Sequence, residues 1–166
     1  MTDTLTALRE AMTAFLTDRG IRALSAWPGR ERLVRAAPLA VVQMEEVKAR
    51  PMGFQDYLGQ VYDGEAGQWR ERYGQKVTVT FRLDLYSPRS AGETGCRRLL
   101  DQAATAFQTG GPAGLAVAEW TMAEPAFDQE SGMFRGKLSA VCRGSLEAVS
   151  DETGAFLGFV VKGGLT

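Results

Sequence analysis

The feature that most constrains the fold of this chain is a strictly alternating segment from Lys76 to Tyr86. Every second residue is apolar and the residues between are polar, a period of two that is typical of a strand with one buried face. The strand is expected to end at Ser87-Pro88, because proline has no N–H to donate to a sheet ladder. One face carries Val77, Val79, Phe81, Leu83 and Leu85, and the other carries Lys76, Thr78, Thr80, Arg82, Asp84 and Tyr86.

A helix is predicted directly after this strand. Ser90 and Glu93 have the spacing of a capping box, which indicates where the helix begins, and Gly110-Gly111-Pro112 closes it. Its apolar positions lie three and four residues apart on one stripe, at Cys96, Leu99, Leu100, Ala103 and Phe107. We expect this stripe to cover the apolar face of the strand, which leaves the polar face to solvent or to another subunit.

The composition indicates an ordinary globular domain and argues against several function classes. The chain has 166 residues, of which 45% are hydrophobic and 23% are charged, and these values suit one domain. Its net charge of −1 gives no basis for a specific nucleic-acid contact, which requires a basic surface. We find no apolar run near the roughly 18 residues of a membrane span and no signal peptide, so we expect a cytoplasmic protein without membrane contact.

The residues with catalytic or metal-binding chemistry give no enzymatic signal. There is no histidine, which removes Ser-His and Cys-His nucleophile pairs and histidine-based zinc sites. Cys96 and Cys142 both fall at inward positions and are interpreted as buried thiols. The glycines between Gly110 and Gly114 lack the spacing of a phosphate-binding loop. We therefore expect no cofactor, no metal and no enzymatic activity.

The other segments predict a second helix and further strands. The N-terminal helix is expected over residues 4–19, with Gly20 after its end and with an apolar stripe of Leu5, Leu8, Met12, Phe15 and Leu16. Strands are expected over 39–47, 58–62, 68–73, 115–122, 134–148 and 155–162. Pro125 is expected to weaken the continuation of one strand, and Gly136 and Gly144 to mark bends or bulges in the next. Runs of strands interrupted by two helices indicate an α+β fold: a single domain with a mainly antiparallel sheet and two helices packed on one face.

Residues 53–73, which we call the flap, combine chain-breaking glycines with many aromatic residues. A hairpin with its turn at Asp63-Gly64 is predicted, and its aromatic residues are Phe54, Tyr57, Tyr62, Trp69 and Tyr73. They form either a small cluster under a loop or a contact surface, because aromatic residues and arginine are enriched where proteins meet.

The last predicted strand is apolar on both faces, with Phe156, Phe159 and Val161 among its residues. It either completes the sheet of its own domain or adds to the sheet of a neighbouring chain, as a free terminal strand can do.

Taken in order, these segments resemble the tail terminator (tail-completion) proteins of tailed bacteriophages. The similarity is greatest to the versions in contractile-tailed prophages and phage-tail-like particles of Gram-positive bacteria. The segments that carry it span nearly the whole chain: LTALREAMTAFL, GFQDYLGQVYD, ERYGQKVTVTFRLDLYSP, GCRRLLDQAATAF, FDQESGMFRGKLSAVCRGSLEAV and FLGFVVKGGL.

The resemblance implies a structural protein of the virion or tail-like particle, assembled in the cytoplasm of the bacterial host. It implies a homo-hexameric ring on the head-proximal end of the tail tube. Such a ring stops tube polymerisation, anchors the last ring of the sheath protein and presents a surface to the head-tail connector. It implies no cofactor and no catalysis.

Within this reading, exposure suggests which residues meet other subunits. Arg82 and Asp84, on the polar face of the central strand, are expected to contact neighbouring protomers. The flap is expected to contact the tube or the connector, and the last strand to pair with sheath or protomer. The candidate interface residues are Tyr57, Trp69, Arg70, Arg72, Arg82, Asp84, Phe156, Phe159 and Val161.

Two alternatives stay open. The chain could be a tail tube or neck protein, since tube subunits are also small and rich in strands. It could also be a small-ligand-binding or enzymatic α+β domain that uses the flap as a lid. That second alternative predicts a pocket with converging polar groups and a carboxylate of perturbed pKa.

Overall fold

The computed structural model describes residues 4–25, 37–51, 57–150 and 156–163. Gly53 and Phe54 of the flap lie outside these ranges. Within these ranges, two helices and seven strands follow one another in the order α1 (Thr4–Asp18), β1 (Ala23–Leu24), β2 (Leu39–Pro51), β3 (Tyr57–Asp63), β4 (Gln68–Ser87), α2 (Gly92–Thr109), β5 (Ala116–Asp128), β6 (Met133–Ser150) and β7 (Phe156–Gly163). The described strands form one seven-stranded sheet.

The centre of the sheet is an antiparallel pair of long strands, β4 and β6. On the outer edge of β4, β2 pairs with one half and β3 with the other. On the outer edge of β6, β5 and β7 divide the strand in the same way. Only the short β1, which pairs with β2, is parallel to its neighbour in the described sheet. This confirms the predicted α+β fold: a single domain with a mainly antiparallel sheet.

Both helices pack on the same face of the sheet, as predicted. The apolar residues of β4 and the α2 stripe belong to one core with Leu8, Met12, Phe15 and Leu16 of α1. Of the predicted α1 stripe, Leu5 is the exception, because 51% of it is exposed. The opposite face of the sheet, which carries Thr78, Thr80, Arg82 and Asp84, is called the back face below.

The ends of the helices follow local chemistry. After α1, Gly20 has a φ of 81°, and the Ile21 N–H donates to the Leu16 carbonyl at 3.0 Å, which is the predicted glycine stop. The predicted capping box at Ser90 is wrong. Helix α2 begins at Gly92 with Ala91 as N-cap and no side-chain capping bond, while the Ser87 hydroxyl donates to the Gly92 carbonyl at 3.0 Å.

Two strands are longer than predicted. The expected strands over 68–73 and 76–86 are one continuous strand, because β6 pairs without a register shift from Glu71 to Ser87 and holds the chain extended through Gly74. Strand β5 continues past Pro125 to Asp128. A register shift between Ala123 and Ala126 accommodates the proline within the edge strand.

Gly136 is not a bend or bulge. The β4–β6 ladder runs through it in unbroken register. A Cβ added there would come within 2.9 Å of the Cys96 Sγ and 3.5 Å of a Leu100 methyl carbon. The glycine is therefore required for the close approach of α2 to the sheet.

Candidate protein interface

The flap contains the predicted hairpin, formed by β3 and the first residues of β4. Its turn is stabilised by Asp63, whose Oδ1 accepts hydrogen bonds from the backbone N–H groups of Glu65 and Ala66 at 3.0 and 3.1 Å. Gly67 closes the turn with a φ of 66° and donates to the Asp63 carbonyl at 2.8 Å. The bond from Ala66, above all, lowers the pKa of the Asp63 carboxyl. Four turn residues separate the strands, so the hairpin has a defined and self-supported tip.

The two arginines of the flap lie on the back-face side of the sheet. Arg70 Nε lies 2.6 Å from Asp63 Oδ2, and both side chains are mostly buried, 21% and 27% exposed. Arg72 shares this face, since side chains alternate along a strand, and it is half-buried. Arg70 thus braces the turn of its own hairpin, and its predicted contact with a partner stays a prediction.

The described aromatic residues of the flap lie on the other side of the hairpin, and Tyr57, Tyr62 and Trp69 are exposed to solvent. Tyr62 and Trp69 are direct cross-strand partners, with ring centroids 5.4 Å apart and an interplanar angle of 65°. They are 54% and 59% exposed. Tyr57 is 45% exposed and packs edge-on against Tyr73, at 5.6 Å. Side chains this open are not a cluster buried under a loop, and exposed aromatic side chains close together are typical of a protein-contact surface.

On the back face, Asp84 lies among arginine side chains of its own chain. Its carboxylate is only 2% exposed, and Arg135 approaches Oδ1 with Nη2 at 2.9 Å and Nε at 3.3 Å. Arg82 lies 3.6 Å from Oδ2 and also donates to the Gln43 side chain. The Asp84 carboxylate is thus neutralised within the protomer, while Arg82 is 39% exposed and remains accessible. The predicted neighbour contact of these two residues is untested.

The last strand, β7, pairs with β6 of its own sheet, from Ser150 opposite Phe156 to Gly144 opposite Gly163. One of the two predicted roles, completion of the domain's own sheet, is therefore present. Phe159 and Val161 occupy register positions opposite Ala148 and Leu146. Pairing with sheath or neighbour would have to use the outer edge of β7, and it stays a prediction.

The two cysteines are free and buried, as predicted. Burial raises the pKa of Cys96 to about 11 and that of Cys142 to about 12. Both are protonated at neutral pH and are not activated nucleophiles.

Among the described residues, no group of three or more His, Cys, Asp or Glu is arranged to hold a metal ion. Neither described helix combines the length and apolar character needed to cross a bilayer.

One feature of the back face was missed by sequence reasoning. Lys48 of β2 and Arg143 of β6 flank Thr78, and Arg50 pairs with Lys76 one row further along the sheet. The four cations, which we call the basic band, line a groove of about 750 Å³. The four residues are far apart in the sequence, and only the register of the sheet brings them together.

The carboxylates with lowered pKa do not lie in this groove. Asp63 belongs to the hairpin turn described above. Asp128 belongs to the β5–β6 turn, where the Ser131 hydroxyl donates to it at 2.7 Å and is the main cause of its lowered pKa. Both shifts result from turn hydrogen bonds, which is a structural and not a catalytic arrangement.

The fold is that of an α+β protein with one helical layer on a sheet of long strands. Known proteins were compared with it by sequence and by fold. A scan against protein-family models gives no match, and a search of curated proteins gives none either. Among solved structures, the fold is similar to the PVC sheath/tube terminator of an extracellular contractile injection system, determined by cryo-EM in the extended state. The TM-score is 0.50 and the sequence identity is 13%, with 100% of this chain and 64% of that chain covered. The chain therefore spans less than two-thirds of that protein, and the likeness is one of fold.

Proposed function

We propose that this chain is a tail terminator, acting as a single terminator-like domain over residues 1–166. The observation that carries the proposal is the fold similarity over the full length of this chain to a sheath/tube terminator. In this role, six copies form a ring on the head-proximal end of the tail tube. The ring stops tube polymerisation and joins tube, sheath and head-tail connector in a bacteriophage or phage-tail-like particle assembled in the bacterial cytoplasm.

In this proposal, the aromatic side of the flap contacts the tube or connector. The exposed pair Tyr62 and Trp69 offers large apolar area on a rigid hairpin, so little conformational entropy is lost on binding. Arg70 contributes by fixing the turn through Asp63. Arg72 lies on the face of the hairpin opposite Tyr62 and Trp69, because side chains alternate along β4. The proposed site therefore centres on Trp69, with Tyr57 at its border.

The ring is proposed to form by head-to-tail contacts, in which two different surfaces of the protomer meet and closure follows from the rotation between copies. Of Arg82 and Asp84 on the central strand, Arg82 has the more exposed side chain and is the one proposed to contact a neighbouring protomer. The residues Phe156, Phe159 and Val161 of β7 are proposed to adjoin sheath or protomer. This role needs no cofactor and no catalysis.

The proposal is tested by deleting the gene in the source strain and measuring tail length by electron microscopy. Loss of a terminator is expected to give tubes of irregular length without a capped head-proximal end. Complementation with the intact gene should restore the length. Tails of normal length and normal head attachment in the deletion strain would overturn the proposal.

A tail tube or neck protein is the second candidate, since such proteins also assemble as rings. The same deletion separates the two: loss of the tube subunit abolishes tubes altogether, whereas loss of a terminator leaves tubes of uncontrolled length.

A further inference from the structure

The basic band concentrates positive charge on a chain whose net charge is −1. Its members Lys48, Arg50, Lys76 and Arg143 are all exposed. Lys48 lies 3.3 Å from Glu46, and that pair is more than half exposed on both sides. Among the side chains that the structure describes, no carboxylate forms an ion pair with the other three. Excess positive charge at one place favours a partner with negative charge.

The complementary charge lies on the same chain, on β5, at the edge of the sheet opposite Lys48 and Arg50 of β2. Residues 116–130 of β5 and its turn contain four carboxylates and no lysine or arginine: Glu119, Glu124, Asp128 and Glu130. Glu124 has an exposed ion pair with Arg97 at 3.0 Å, and Glu119 has no cation partner among the described residues. We call this segment the acidic edge.

Lys48 and Arg50 of the basic band lie on β2, the acidic edge lies on β5, and the outer edges of these two strands are not fully covered by any described strand. Strand order is β1-β2-β4-β6-β5, so β5 is one end of the sheet, and β1 covers β2 only at Ala40 and Val41. Uncovered edges present unpaired N–H and C=O groups. Because each strand from β2 through β4 and β6 to β5 is antiparallel to the last, β2 and β5 run in opposite directions. If a second copy continues the sheet beside the first, the β5 edge of one copy therefore lies antiparallel to the β2 edge of the other.

We propose that the basic band of one copy receives the acidic edge of a second copy of this chain. This inference rests on the proposed ring and specifies the two surfaces that build it. The contact is heterologous, since the basic band and the acidic edge differ, and such contacts generate closed rings or open filaments. The apolar sides of the edges also match, with Met122 of β5 54% exposed and Met44 and Val47 of β2 partly buried on the helix side.

Charge also selects the offset between the two copies. Within one sheet, Glu119 lies on the same cross-strand row as Glu46, through Val141 and Thr80. In that register the two carboxylates of neighbouring copies would repel each other. A shift by one two-residue row, about 6.8 Å, places Glu119 beside Lys48 instead, with Arg50 on the next row. A stagger of this kind accompanies the closure of a twisted sheet.

The test uses two charge-reversed variants and their mixture, measured by analytical ultracentrifugation from micromolar to near-millimolar concentration. The first is Lys48→Glu with Arg50→Glu, and the second is Glu119→Lys, because Glu119 shares the back face with the basic band whereas Glu124 pairs with Arg97 of α2 on the helix side. The intact chain is expected to self-associate, more strongly at low salt. Each variant alone is expected to associate at least about tenfold more weakly, because like charges then meet. An equal mixture is expected to recover association, since each reversed surface then finds its complement on the other variant.

Matched controls reverse exposed charges that belong to neither the basic band nor the acidic edge. Arg22→Glu with Arg98→Glu, and Glu10→Lys with Asp101→Lys, alter exposed residues outside both surfaces and are expected to associate as the intact chain does. An intact chain that stays monomeric at the highest concentration and low salt would overturn the inference. So would variants that associate normally, or a mixture that shows no recovery.

Two further results separate this inference from its alternatives. Tight binding of a fluorescent DNA duplex by the intact chain, lost in Lys48→Glu with Arg50→Glu, would overturn it and make the basic band a phosphate-binding surface. If deletion of the gene disrupts tail length but the mixture of variants does not recover association, the proposed function stands and this interface is wrong. If the mixture recovers association but the deletion strain makes normal tails, the interface stands and the proposed function is wrong.

Discussion

Gly136 of β6 lies directly beneath Cys96 of α2, so closely that a Cβ on the glycine would approach the cysteine sulfur to 2.9 Å. The Cys96 thiol donates to the Leu85 carbonyl at 3.3 Å, which favours this position of the sulfur. This contact sets the spacing between the helical layer and the centre of the sheet.

We therefore expect Gly136→Ala to lower the free energy of unfolding by about 1–3 kcal/mol, because the added methyl group overpacks a filled core. The midpoint of urea unfolding measures the loss. Gly64→Ala is the control, since a Cβ at Gly64 meets nothing within 4 Å. Adding Cys96→Ala to Gly136→Ala should recover part of the loss. A double variant whose loss is the sum of the two single losses would contradict this account.

The Asp84 cluster predicts unequal roles for its two arginines. Arg135→Met removes the partner at 2.9 Å and leaves a 2%-exposed carboxylate without its main donor, so we expect a loss of about 2–4 kcal/mol in unfolding free energy. Arg82→Met removes a more exposed partner at 3.6 Å and is expected to cost less than about 1 kcal/mol. Chemical unfolding of the two variants provides the comparison. Equal losses would show that the carboxylate depends on both arginines alike.

The hairpin turn is expected to weaken in acid. Hydrogen bonds, first from the Ala66 N–H, lower the pKa of the Asp63 carboxyl below its usual value in the folded chain. A lowered folded pKa contributes stability that is present above the unfolded pKa and is lost as pH falls through the folded pKa. NMR titration should show the Glu65 and Ala66 amide resonances moving together below pH about 4. In Asp63→Asn, where this carboxyl is absent, that common titration should disappear. Its persistence would assign the effect to another group.

Trp69 is expected to serve binding more than folding. Trp69→Ala should lower the unfolding free energy by only about 0.5–1.5 kcal/mol, the usual value of an aromatic pair such as its contact with Tyr62. Binding to purified tail tubes, measured by co-sedimentation, should fall at least about tenfold. Leu5→Ala, at a side chain 51% exposed on α1, is the control and should bind normally. Unchanged tube binding by Trp69→Ala would remove the flap from the proposed interface.

Much of the fold could be predicted because its signals are local. The alternation from Lys76 to Tyr86 and the α2 stripe each describe one element, and their apolar residues are all buried in the common core. The glycine stop after α1 is local as well. These signals need no knowledge of what packs against them.

The misses arose where another part of the chain decides the outcome. Gly74 does not interrupt β4, because β6 holds it in the ladder, and Pro125 does not end β5, because a register shift accommodates it. Gly136 was interpreted as a bend, since the helix that requires a small residue there cannot be recognised from the strand alone.

In the candidate site, too, local features could be predicted from the sequence and contacts between distant segments could not. The aromatic residues of the flap could be located from the sequence, because their density is visible there. The pairing of Arg70 with Asp63 depends on the turn geometry, and that of Asp84 with Arg135 on the register of β4 with β6. The basic band depends on three strands at once.

The most direct test of the terminator proposal is gold-labelled antibody imaging of tail particles from the source strain. We expect label only at the head-proximal end of the tube. Label distributed along the tube would contradict the proposal and identify a tube subunit. Particles without label, with the protein remaining in the soluble fraction, would contradict any role in the tail.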